Sequence, residues 1–156
     1  MLDDEYYRIG KERLGFEHPQ FESHFTHRIY NDPGDDFAPF GSDEGSDVLA
    51  RWTRRRDELT TASRVRDLYE SDEEWNDAVL AVESSFDDAI EEAILILAHA
   101  FTLLRLTGYI DPEGRQAALQ SIDRILLDTD NAPEYLQQKF DLESWQNPAP
   151  STEQCP

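Results

Sequence analysis

Cysteine is nearly absent: Cys155 is the only one in 156 residues. An internal disulfide is excluded, and one chain cannot build a cysteine zinc cage. Lysine is almost as scarce, with Lys11 and Lys139 the two among 14 basic residues. Long apolar runs are missing too. The most apolar stretch, residues 93–104 (AILILAHAFTLL), has 12 residues and includes His99, whereas a membrane span needs about 20. The N-terminal Met1-Leu2-Asp3-Asp4-Glu5 has neither the basic nor the apolar region of a signal peptide. These features lead to the expectation of a cytoplasmic protein with no membrane contact.

Catalytic and cofactor motifs are also missing. There is no Gly-x-Ser-x-Gly elbow, phosphate-binding loop, dinucleotide-binding glycine pattern or EF-hand run. Glu-x-x-His, which a di-iron bundle requires, does not occur. No catalytic residue, metal ligand or cofactor is therefore assigned. His24-x-x-His27, with His18 upstream, lies in a stretch that does not read as a helix, so these are expected to be ordinary surface or half-buried histidines. His99 sits on an apolar stretch and is expected to be a core histidine.

What the chain has in excess is negative charge. It carries 34 Asp and Glu against 14 Lys and Arg, a formal charge of -20, yet 38% of its residues are hydrophobic, enough for a core. Phosphate-neutralising nucleic-acid binding calls for the opposite sign. The acidity is uneven. Residues 71–92 hold nine acids and no base, while residues 51–70 hold six arginines and four acids. Arg51, Arg54, Arg55 and Arg56 form a basic island that is expected to clamp the acidic 71–92 segment and relieve its self-repulsion.

Periodicity predicts a mostly α, single-domain irregular helical bundle around a central apolar helix, with a long aromatic-rich N-terminal loop region. The domain is expected over residues 1–146, with 147–156 a proline-rich flexible tail. Residues 1–15 suggest a short helix. Residues 16–41 suggest an ordered loop with a short strand over 25–30. Ser42 opens a helix carrying Val48, Leu49 and Trp52 inward, although Gly45 weakens it. Ser71 through Glu74 reads as a capping box, and Ser85 with Asp88 as a second cap. Gly108 reads as a C-cap, and Asp111-Pro112 as an N-cap with proline at the first helical position. A last helix starts near Asn131. The run over 94–106 would also support a homodimer.

Three functions fit this profile. The first is a non-enzymatic, acidic protein-binding or inhibitory domain, immunity-like or a nucleic-acid mimic. It would engage a basic protein such as a nuclease or nucleic-acid-binding protein. Its partner-facing residues would be Asp72, Glu73, Asp77, Glu83, Asp87 and Asp88, with Trp75 as an exposed anchor. The second is a soluble domain with an accessory role, its acidity an adaptation to high salt, which the scarcity of lysine favours. The third is an enzyme with a site in the His/acid loop 16–40. Unfolding measured against salt separates the first two. Marked destabilisation below about 1 M salt follows from solvent adaptation, and a stable fold at about 0.1 M from a partner-directed surface.

Overall fold

The computed structural model describes residues 2–84 and 89–149. Among these the chain is helical, with seven α-helices, three short 3-10 turns and no strand. The α-helices are α1 (Leu2–Leu14), α2 (Pro19–His24), α3 (Asp43–Thr53), α4 (Asp72–Glu83), α5 (Ala89–Thr107), α6 (Pro112–Asp128) and α7 (Pro133–Ser144). No helix is long and apolar enough to cross a membrane among the described residues.

The central helix is α5. Ala93, Ile96, Leu97, Ala100, Phe101, Leu103 and Leu104 are buried around its circumference, with α3, α4 and α6 packed against it. Apolar residues on every face make it the element that the others cover. Its apolar run is thus largely covered within the chain, with Ile94 and Leu95 half-buried. α5 ends at Gly108, whose φ of +74° is the left-handed conformation that a terminating glycine adopts readily. Asp111 then caps α6, accepting from Gly114 N at 2.9 Å. Its other oxygen accepts from Val65 N at 2.8 Å and so holds the 65–68 turn to the start of α6.

Gly45 proves to be a packing requirement rather than a weakness. A Cβ there would collide with the carbonyl of Pro39, so only glycine lets the chain entering α3 pass this close. Ser42 caps α3, its Oγ accepting from Gly45 N at 3.0 Å. Ser71 caps α4 in the same way through Glu74 N at 3.1 Å. The second predicted cap, Ser85 with Asp88, lies outside the described residues.

The strand expected over 25–30 is not formed. Residues Arg28–Asn31 make a 3-10 turn, capped by His27 Nδ1, which accepts from Ile29 N at 3.1 Å. Turning lets Phe25, Ile29 and Tyr30 all point inward, which alternation along a strand forbids. Phe25 meets Tyr30, Phe101 and Trp145 with ring centroids at 5.1, 5.6 and 5.5 Å. The aromatic N-terminal region is therefore part of the core. Asn147, assigned by sequence to the tail, is pinned as well. Its side chain accepts from Ile110 N at 3.0 Å and donates to Ile110 O at 2.7 Å.

One buried ion pair ties this wrapping to α5. Arg105 is 0% exposed, and the side chain of Glu17 is 5% exposed. Arg105 Nη1 lies 3.2 Å from Glu17 Oε2, Nε donates to Phe16 O at 2.9 Å, and Nη2 donates to Gly15 O at 3.2 Å. Burial pushes the Glu17 carboxyl up and the Arg105 guanidinium down, so desolvation outweighs pairing at both ends. The pair fixes geometry, and removing Arg105 leaves the buried Glu17 carboxylate only Lys11 Nζ, 3.7 Å away, as a cationic partner. Arg105→Met is expected to cost about 3–5 kcal/mol in urea unfolding. Adding Glu17→Gln should recover part of that loss; a single-variant cost below about 1 kcal/mol contradicts this role.

Candidate functional site

α3 and α4 pack on α5 and leave between them a cleft of about 750 Å³. Helical spacing sets the walls. In α3, Val48, Leu49 and Trp52 are buried, which leaves Asp43, Asp47 and Arg51, spaced four apart, along the cleft. In α4, Trp75, Ala78 and Val82 are buried, which turns Glu73 and Asp77 to the cleft. Glu44, Glu70, Glu74 and Glu92 complete a set of eight carboxylates, with Arg51 the only basic lysine or arginine in the lining. Among the described residues, no group of three or more His, Cys, Asp or Glu is placed to hold a metal ion. The negative field is thus spread along the walls instead of converging on a point.

The floor is apolar and aromatic, formed by Val48, Leu68, Tyr69, Ala78, Leu95 and His99. His99 Nδ1 lies 2.7 Å from Leu95 O, and since a carbonyl only accepts, Nδ1 carries a proton. Burial lowers its pKa to about 4, a shift to which nearby Arg51 adds. The Tyr69 ring is 4.3 Å from the His99 ring and meets Trp75 edge-on at 5.2 Å. Burial, with Glu92 and Glu74 nearby, pushes the Tyr69 phenol up, so it stays protonated.

The predicted partner-facing residues separate. Glu73 and Asp77 line the cleft. Asp72 is exposed but paired with Arg66 at 3.2 Å, and Arg66 also clasps Glu113 at 2.5 Å. Glu83 borders a second groove of about 470 Å³ between α4 and α6, beside Leu80 and Gln116. Asp87 and Asp88 lie outside the described residues. Trp75 is not an exposed anchor: at 1% exposure it is core, because it shares a helical stripe with Ala78 and Val82 that faces inward. The carboxylates from α3, with Glu70 and Glu92, were missed. Asp43 and Asp47 stand four apart in sequence, but nothing local brings α3 opposite α4.

The arginine island also divides. Arg55 pairs with Glu58 at 2.8 Å and lies over the Trp52 ring, Arg56 lies over Phe16, and only Arg51 reaches the acidic cleft. The clamp on the start of α4 is instead Arg66. The histidines of loop 16–40 do not form a common site. His18 caps α2 through Gln20 N, His24 Nε2 contacts Asp141 O at 2.8 Å, and His27 caps its own turn.

Fold and cleft together define an all-α domain with an acid-walled groove over an aromatic floor. The chain is similar to the uncharacterized protein YfeS of Escherichia coli (strain K12), 28% identical over 140 residues and 78% of this chain. It spans 56% of that relative's length. No protein-family model matches, and no solved structure matches.

His99 gives the site a pH signature. Its ordinary pKa of 6.5 falls to about 4 in the fold, so below 6.5 the unfolded chain binds more protons. Its contribution is complete above pH 6.5 and is lost as pH falls toward 4, a span of roughly 3 kcal/mol. Urea unfolding of His99→Gln should lack this component relative to wild type. Parallel pH profiles of the two proteins would contradict it.

Proposed function

We propose that this domain is a non-catalytic binding module that receives a basic segment of a partner protein in the cleft between α3 and α4. The observation that carries this reading is the composition of the lining, eight carboxylates and one arginine around a floor able to bury apolar surface. Facing rows of like charge repel one another, and a polycation lying between them relieves that repulsion. The absence of a clustered metal site among the described residues favours an extended occupant over a single ion. An inhibitory or immunity-type role, with a nuclease or nucleic-acid-binding protein as partner, is the form of this function that the charge fits best.

Exposed Asp72 contributes to the outer field, while Glu73 and Asp77 act at the groove itself. Complementary charge speeds encounter more than it strengthens the final complex. Replacing Asp47→Asn, Glu73→Gln and Asp77→Asn together should slow association with a basic protein about 10-fold at low ionic strength, with the difference shrinking in salt. Removing equal charge elsewhere, through Asp57→Asn, Glu134→Gln and Glu143→Gln, should have a much smaller effect. Equal slowing by the two triple variants in stopped-flow mixing would show a general charge effect and overturn the cleft as the port.

A further inference from the structure

The fold leaves one polar atom on the cleft floor unused. Tyr69 is 9% exposed, and its hydroxyl has no hydrogen-bond partner. An unmade bond at a buried polar group carries the full cost of desolvation, so such an atom needs a reason. The carboxylates that act on this phenol are Glu74 and Glu92, both of which line the cleft. Tyr69 lines the cleft beside both carboxylates, and its covered oxygen is satisfied by a donor that displaces the side chains over it.

The surroundings discriminate between donors. Tyr69 and His99 lie ring against ring at 4.3 Å and 34°, which makes the floor at this point an aromatic surface. A lysine ammonium is compact and strongly hydrated, and it would surrender that hydration to enter. A guanidinium is planar and weakly hydrated, stacks on aromatic faces, and has five donors in a fixed fork. It can lie on the rings, donate to the Tyr69 oxygen and still reach the wall carboxylates. Building on the reading of the cleft as a port for a basic segment, we infer that the residue admitted at Tyr69 is an arginine of the partner, held by the Tyr69 hydroxyl and the Tyr69–His99 rings. Glu74 and Glu92 supply the charge around it.

The test uses two blocked nonapeptides with identical spacers, one with three arginines and one with three lysines, titrated calorimetrically into the intact protein at low salt. The arginine peptide is expected to bind about 10-fold more tightly, and Tyr69→Phe to weaken it about 3- to 10-fold while leaving the lysine peptide unchanged. Equal affinities in the wild-type protein overturn the arginine assignment without any variant being needed. An unaffected arginine peptide in folded Tyr69→Phe also overturns it. Tyr69→Phe removes a hydroxyl with no partner in the fold, so its Tm should match or exceed that of wild type. If Glu73→Gln with Asp77→Asn leaves both affinities unchanged, the cleft reading itself fails. Binding of neither peptide overturns both.

Discussion

The cleft depends on a charge buried outside it. Arg105, near the end of the central helix, gathers Glu17 and the carbonyls of Gly15 and Phe16. His18 N also donates to Arg105 O at 2.8 Å. These bonds pull the chain after α1 across α5 before it turns through Tyr30 and Phe40 into α3. Glu17 and Arg105 are each disfavoured as charges by burial, so their pairing supplies position more than net stability. The N-terminal region can therefore be irregular along its length and still deliver α3 in register with α5. A second anchor works in the same direction: Tyr30 Oη donates to Asp141 Oδ2 at 2.7 Å, and Gln138 donates to Phe37 O at 2.7 Å, tying the segment to α7.

A physical tension runs through the cleft. Helices α3 and α4 both begin with acids, which suits the positive ends of their dipoles. Packed on the same central helix, they bring those acids to face one another. Most of the arginines near this region are occupied elsewhere, Arg55 by Glu58, Arg64 by Asp67, and Arg66 by Asp72 and Glu113. The fold therefore pairs Asp72 at the start of α4 with Arg66 and leaves the cleft strongly negative.

Much of the fold was legible because it is written locally. Ser42, Ser71 and Asp111 cap the helices that the sequence placed after them, and Gly108 ends α5. The apolar run of α5 announced the centre of the bundle. What failed depended on tertiary contact. Residues 25–30 alternate enough to suggest a strand, yet three of them are drawn into one core by the bundle. Trp75 stands among acids in sequence and looks exposed, but its helical face is the buried one. Arg105 reads as an ordinary polar residue near a helix end, and nothing nearby in sequence pairs with it. Of the site, Glu73 and Asp77 were visible as part of an acidic run, whereas the acids of the opposing wall, Asp43, Glu44 and Asp47 of α3, are distant in sequence and met only through α5.

The central claim is that the charge is directed into one groove. Amide chemical-shift mapping tests it most directly, with an arginine-rich peptide titrated into isotopically labelled protein at low salt. The account predicts shifts concentrated at residues 43–51, 68–78 and 92–99, saturating together with one affinity. Weak shifts scattered over acids on every helix, without saturation, would contradict it.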